Sequence, residues 1–436
     1  MLFDRPLRAL AHDVVDALFD HVEAIELRPV VDWHSAADLR PLVRIGDGGD
    51  EPLARVRQLL DHAIQLHHPA YMGHQVCPPF PTAVIADLVI STLNQSTAVW
   101  EMSPIGTVIE QEVMRWLIDC AGYPATALGT AVSGGSAANL TGLLAARARK
   151  GRGVVVCGAD AHYSIARAAA IMGIPASDVI KVDTDAQHRM DIEALERALI
   201  DREVMAIVAT SGSTATGAFD DLRAVAALRD RYDTWLHVDA AHGASVLLCD
   251  SLRHLVDGLD LADSLSWDPH KMLWMPLSLG AILVRDGIWL RRAFEADAPY
   301  LFNAERASDN IGEMTIQCSK RADAVKLWLT LQIAGTRPFA EALEKVTAMT
   351  RYLYERVIAS DDLEALHEPQ FNIFCFRHKS DDATNAALRE RLIRSGTAWI
   401  TSTVLKGRRV LRVTMINPRT EREHVDRMLS DLRSLL

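Results

Sequence analysis

The residues most able to do chemistry in this chain stand in two short runs, Asp268-Pro269-His270-Lys271 and His237-Val238-Asp239-Ala240-Ala241. The first places one lysine just past an expected strand. The second places one carboxylate at the end of another. A lysine amine can hold an aldehyde as a Schiff base, and a carboxylate can keep a pyridine nitrogen protonated. Those are the two demands of pyridoxal phosphate: a covalent anchor, and a counter-ion that keeps the ring an electron sink. Most lysines are solvated surface cations. Lys271 is instead flanked by Trp267 and by Met272-Leu273-Trp274-Met275-Pro276, apolar neighbours that suit a nucleophilic amine.

The same residues admit other readings. His237, Asp239 and His242 have a spacing compatible with a metal ion, because His237 and Asp239 share one strand face and His242 follows closely. Asp239 could also simply cap the segment after it. The small Ala240 and Ala241 favour a flat ring beside the carboxylate. Ser133-Gly134-Gly135-Ser136-Ala137-Ala138-Asn139 opens an expected helix, where free N–H groups and the helix dipole suit a phosphate, although Gly and Ser also serve as plain caps. The run matches neither GxGxxG nor GxxxxGK[ST], which gives nucleotide binding little support. His162, in Asp160-Ala161-His162-Tyr163-Ser164, is placed to stack on an aromatic cofactor or to be structural.

The elements that must position these residues alternate. Helices are expected over 82–94, 104–121, 137–150, 161–172 and 221–231, and strands over 154–157, 204–210, 235–238, 265–267 and 281–284. Such alternation implies a mostly parallel sheet with helices on both faces, whose ligands sit at the carboxyl ends of strands. Before it, 5–25 reads as an amphipathic helix and 52–67 as a second, ending at the proline-rich 77–81. After a hinge at 335–338 come a long helix over 338–359, strands over 371–377, 397–403 and 410–415, and a closing helix over 420–436. The expected division is 1–81, an N-terminal helical segment; 82–335, a large cofactor-binding domain; and 336–436, a smaller α+β domain.

The bulk numbers fit a globular enzyme. The chain has 436 residues, 49% hydrophobic and 24% charged, with a net charge of -11 that argues against nucleic acid as a partner. No basic leader or apolar run of membrane length is apparent, and the six cysteines form no CxxC pair, which points to the cytoplasm.

Taken together these motifs resemble the group II pyridoxal-phosphate-dependent amino-acid decarboxylases, which include the aromatic-amino-acid, glutamate and diaminobutyrate decarboxylases. The resemblance also takes in His68-Pro69, Asn94-Gln95, Trp100-Glu101-Met102-Ser103-Pro104, Thr210 to Asp220, Leu411-Arg412-Val413-Thr414 and Asn417-Pro418, in family order over roughly residues 50–430. It implies a transferase-like fold type I, and a homodimer with active sites at the interface and the N-terminal helices clasping the partner. It implies residue roles as well. Lys271 is the expected Schiff-base lysine and Asp239 the partner of the pyridine nitrogen. His162 is expected on the substrate face of the ring and Ala241 on the opposite face. Ser136, Ala137 and His270 form the expected phosphate cradle, Thr214 contacts the cofactor, and Arg412 meets the substrate carboxylate.

Two departures stand out. Family decarboxylases carry a loop tyrosine that protonates the substrate carbon, and members without it can divert to oxygen-dependent deamination. At the corresponding place this chain reads Ile311-Gly312, and the nearest loop tyrosine is Tyr300. The stretches expected to line the substrate pocket read Gly73-His74-Gln75-Val76-Cys77 and Ser96-Thr97-Ala98, polar or small where aromatic decarboxylases place large rings. A polar pocket favours a polar substrate side chain, acidic or diamino, because an apolar one would leave donors unpaired.

Overall fold

In a computed structural model of the chain, the described residues are 5–46, 48, 51–295 and 309–436. They divide into two compact units. One comprises Cys77–Ala348 with His367–Phe374, and the other Met1–Val76, Met349–Leu366 and Cys375–Leu436.

The first unit is built on a seven-stranded sheet of β1 (Leu128–Val132), β2 (Val154–Gly158), β3 (Val179–Val182), β4 (Val204–Thr210), β5 (Trp235–Asp239), β6 (Ser264–Trp267) and β7 (Gly280–Val284), in the order β1-β7-β6-β5-β4-β2-β3. The pairs β2–β3, β2–β4, β4–β5 and β5–β6 are parallel, and β7 runs antiparallel to both of its neighbours. β2, β4 and β7 are apolar and rich in β-branched residues because both faces are covered, while β5 and β6 also bury His237, Asp239, Ser264 and Ser266. Every residue of β5, β6 and β7 is buried. The helix Gly135–Lys150 packs against β4, β5, β6 and β7. Its inward residues are small, and a Cβ on Gly142 would stand 2.5 Å from Nδ1 of His237. A side chain there would push the helix off the sheet.

Because β1, β2, β4, β5 and β6 all point the same way, their carboxyl ends share one edge. The chain delivers Ser136 and Ala137 just past β1, His162 past β2, Thr214 past β4, Asp239 and Ala241 at the end of β5, and His270 and Lys271 past β6. Topology gathers at one edge residues that the sequence spreads over more than a hundred positions.

Strands β1 and β3, and the short strand Leu363–Ala365, were not expected from the sequence. β1 reads Leu-Gly-Thr-Ala-Val and β3 is a four-residue strand at the sheet edge, so neither has the apolar run that marks the central strands. In the second unit an antiparallel sheet of β8 (Leu363–Ala365), β9 (Ile373–His378), β10 (Thr401–Leu405) and β11 (Arg408–Thr414) has the order β10-β11-β9-β8. β9 begins at the end of the first unit. The helix Arg5–Glu23 packs on Pro52–His62, yet it leaves Leu7, Leu18 and Phe19 exposed. Among the described residues no helix is long and apolar enough to cross a membrane.

Two lysines are buried in the first unit, and both are structural. Lys326 donates to the carbonyls of Pro276 (3.1 Å) and Ser278 (3.0 Å) and pairs with Asp323 (2.8 Å), which pins the turn that follows Lys271. Lys320 pairs with Glu110, whose carboxylate also accepts from Thr97 Oγ1 (3.1 Å), Thr130 Oγ1 (3.0 Å) and the Ala131 N–H (2.9 Å). Removing one partner of a buried, fully bonded pair strands the other charge, at a cost of about 3–5 kcal/mol. Lys320→Met is therefore expected to lower the free energy of unfolding by that amount in urea titrations. A loss under about 1 kcal/mol, the range of an exposed pair, would show that Glu110 does not depend on it.

Candidate active site

Asp239 ends β5 and is buried, where a carboxylate needs partners. Oδ2 accepts from Asn139 Nδ2 at 2.9 Å, and Oδ1 accepts from Ser266 Oγ at 3.1 Å and the Ala241 N–H at 3.3 Å. Burial pushes its pKa up. The Lys271 charge and the Asn139 hydrogen bond act against that and leave it below the ordinary carboxylate value. Asp239 therefore stays ionised at neutral pH.

Lys271 lies in the short helix Pro269–Met272, started by a proline directly after β6. Its Nζ is 3.1 Å from Asp268 Oδ2, which also accepts the Gly135 N–H at 2.9 Å. The other oxygen, Asp268 Oδ1, is buried and has no partner. His270 Nδ1 lies 2.7 Å from the Leu279 carbonyl, and burial is the first cause of its lowered pKa. A Cβ on Gly134 would stand 3.0 Å from His270, and one on Gly135 would stand 3.0 Å from both Ala241 and Asp268. Gly134 has φ 147°, so this turn both requires glycine and keeps the space beside His270 and Ala241 clear. Ser136 is exposed and Ala137 half-buried on the first helical turn, and Thr214 is half-buried in the turn after β4.

His162 follows β2, and its Nδ1 is 2.8 Å from Ser164 Oγ. Burial lowers its pKa, and Asp239, Lys271 and Asp268 all act on it electrostatically. These four groups thus share one local field.

These residues fit pyridoxal phosphate. An amine, a carboxylate kept ionised, an imidazole and a glycine-cleared helix start converge on one strand edge. The metal reading does not hold. His237 is fully buried, and its two ring nitrogens are taken by Ser264 Oγ (2.8 Å) and Asn139 Oδ1 (2.9 Å). His242 Nε2 bonds Asn372 Oδ1 at 2.7 Å. Among the described residues, the one group of potential ligands whose atoms lie within 4.8 Å of each other is Asp32, His34 and His62, in the other unit.

The expected substrate contacts fall in both units. In the first, Ser96 Oγ accepts the Lys320 N–H (3.2 Å) and donates to the Cys318 carbonyl (3.4 Å). Ala98 is buried and its carbonyl accepts the Gly312 N–H at 2.8 Å. Ile311 is buried in the turn Ile311–Met314, whereas Tyr300 lies outside the described residues. In the second unit, Arg412 is buried on β11 and its Nε donates to Thr401 Oγ1 at 3.0 Å. His74 is exposed within its unit, and partial desolvation and the charges of Arg412 and Arg389 lower its pKa. Gln75 Nε2 is buried without a partner.

Sequence reasoning gave no role to Asn139, Ser164, Ser266 or Asp268. Asn139, Ser164 and Asp268 stand inside the motifs that carry the site, and Ser266 does not. Only the fold shows what they touch.

The comparisons with known proteins agree with the geometry. Residues 54–379 match the pyridoxal-dependent decarboxylase conserved domain. The chain is 36% identical over 414 residues to an L-2,4-diaminobutyrate decarboxylase of Rhizobium meliloti (strain 1021), covering 90% of this chain and 83% of that protein. It is 30% identical over 491 residues to the cysteine sulfinic acid decarboxylase of Mus musculus, covering 100% and 99%. A crystal structure of mouse CSAD superposes with a TM-score of 0.91 at 28% identity over 99% of each chain. The fold is the transferase-like fold type I of pyridoxal enzymes, and the chain belongs to the pyridoxal-dependent decarboxylases, carboxy-lyases of amino acids that work with pyridoxal 5'-phosphate.

Proposed function

We propose that this enzyme removes the α-carboxylate of an L-amino acid with a polar side chain, acidic or diamino, and releases the amine and CO2. The polar or small residues expected along the pocket, His74, Gln75, Ser96 and Ala98, carry this reading. A polar group left unpaired on burial costs about 1–3 kcal/mol, so such a lining favours a substrate side chain that can hydrogen-bond over an aromatic one. The relatives named for diaminobutyrate and cysteine sulfinic acid point the same way.

Bound pyridoxal phosphate supplies the sink for the electron pair released as the carboxylate leaves, and one proton then replaces CO2 on the α-carbon. The residues of the chain do the rest. Lys271 anchors the cofactor through its amine, and Asp268 holds that amine when it is free. Asp239 presents a negative charge to the pyridine nitrogen. His162 and Ala241 would bound the two faces of the cofactor ring, Ser136, Ala137 and His270 would receive its phosphate, and Thr214 would contact it. We assign substrate contacts to His74, Gln75, Ser96, Ala98 and Arg412.

The working enzyme is proposed to be a cytoplasmic homodimer in which residues 1–81 clasp the partner and active sites form at the interface. Its smaller α+β domain is assigned to 336–436. In support, Leu7, Leu18 and Phe19 of the N-terminal helix are exposed. Val84, Ile85, Leu88, Val89 and Leu93 also form an exposed apolar stripe on the helix Pro81–Leu93. The six unpaired cysteines suit a reducing compartment.

Oxidative deamination is the second reading. It is favoured by Ile311, a buried aliphatic side chain where the resemblance expects a proton-donating tyrosine. A screen of polar and aromatic L-amino acids, with CO2, amine, ammonia and peroxide measured together, tests both. Amine equal to CO2, from polar substrates and not aromatic ones, is expected. Ammonia and peroxide equal to CO2 would replace decarboxylation by the oxidative reaction, and a preference for aromatic substrates would refute the polar pocket.

A further inference from the structure

A chain of hydrogen bonds runs through the core of the first unit and ends at His162. Its direction follows from the donors and acceptors at its fixed ends. The indole of Trp235 can only donate, and its Nε1 is 2.9 Å from Ser264 Oγ. The Ser264 hydroxyl then donates to Nδ1 of His237 at 2.8 Å, so Nε2 of that ring carries the hydrogen and donates to Asn139 Oδ1 at 2.9 Å. From the other side, the Asp239 carboxylate can only accept, so the group facing it at 2.9 Å must be the Asn139 amide nitrogen. The Asp239 end fixes the orientation of Asn139, and the Trp235 end agrees with it. The remaining Asn139 N–H donates to Ser164 Oγ at 2.9 Å; His162 Nδ1 accepts the Ser164 backbone N–H at 3.3 Å, and the Ser164 hydroxyl donates to the same nitrogen at 2.8 Å.

We propose that Asn139 is a positioning residue that fixes His162, through Ser164, as the Nε2–H tautomer, so that the imidazole offers the reacting side a hydrogen-bond donor and no basic nitrogen. The same amide holds the Asp239 carboxylate in place. One buried side chain thus sets both the counter-ion of the cofactor and the tautomer of the ring stacked on it. Asn139 is 1% exposed and all three of its polar arms are used. An aspartate there would set a second carboxylate against Asp239, and an alanine would open both arms.

This assignment rests on the reading of His162 as a face of the cofactor site, but its first test does not. In the apoenzyme, 13C labelling of the histidine rings reports the tautomer of His162, whose signal is identified by its loss in His162→Gln. Wild type is expected to show the Nε2–H form. Ser164→Ala removes the hydroxyl link between Asn139 and His162 and leaves the bond from Asn139 to Asp239 and the longer 3.3 Å bond from the Ser164 backbone N–H to His162 Nδ1. It is expected to give a mixture of tautomers and a roughly tenfold lower kcat, with KM and pyridoxal phosphate affinity unchanged. Asn139→Ala breaks both arms. It is expected to add a roughly tenfold loss of cofactor affinity, the scale of one hydrogen bond to a charged group. A Ser164→Ala enzyme that keeps a single His162 tautomer overturns the proposal, even if Asn139→Ala does not fold. So does a released tautomer with wild-type kcat. Failure of the cofactor reading would look different: wild type would not bind pyridoxal phosphate, while the tautomer measurement would stand.

Discussion

Lys271→Ala is expected to abolish turnover, with a loss of more than about 10⁴-fold in kcat, and to remove the visible absorption of bound cofactor. On the proposed assignment the amine is the covalent anchor, and a single well-placed acid or base is already worth roughly 10²–10⁴-fold. Alanine also leaves Asp268 with no cation at Oδ2 and an unpartnered Oδ1. Borohydride reduction of the wild-type holoenzyme followed by peptide mapping checks the assignment. The label is expected on Lys271. A label on Lys326 or Lys320 would sink it, although both are held by structural partners.

Asp239→Asn is expected to retain cofactor and to lose about 10²–10³-fold in kcat, the scale for removing one preorganised electrostatic partner in a buried site. An amide cannot hold the pyridine nitrogen protonated. The substitution also hurts locally, because an amide at Asp239 cannot accept from Asn139, Ser266 and Ala241 all at once. Steady-state kinetics at saturating cofactor separates the effects. A drop that disappears when pyridoxal phosphate is raised would make Asp239 a binding residue only, and wild-type turnover would remove its role altogether.

The parts of the site that were legible in the sequence are those contained in short local runs. Asp239, Lys271, His162 and the glycine-rich helix start each sit beside a strand end, and the alternation of strands and helices already places strand ends together. β2, β4 and β7 were readable because both faces are buried and their sequences are nearly continuously apolar, and β5 and β6 because they lead into the Asp239 and Lys271 motifs. β1 and β3 were not, because a glycine and threonine in one and an exposed lysine in the other blur that signal. The relay was invisible for a different reason. Asn139 meets Ser164, His237 and Asp239 across separations of 25, 98 and 100 positions, and nothing local marks such partners. The histidine and aspartate spacing on β5 is the converse case. It suits a metal, but whether a ring nitrogen is free depends on what packs against it, and Asn139 and Ser264 had already taken both in His237.

The register of the sheet carries a consequence for the amount of enzyme in a cell. Asp239 stands opposite Thr210 on one side and Ser266 on the other. A slip of one residue would turn its carboxylate to the opposite face and replace Ser266 by Leu265. On the proposed role of Asp239, only the correctly paired sheet holds the cofactor, and a ligand that binds only the folded form adds about 2.7 kcal/mol of stability at a hundred times its dissociation constant. When vitamin B6 is scarce, the pool should shrink as well as slow, because empty protein opens more often and is degraded sooner. Nutrient supply would then govern abundance through thermodynamic linkage, with no change in transcription.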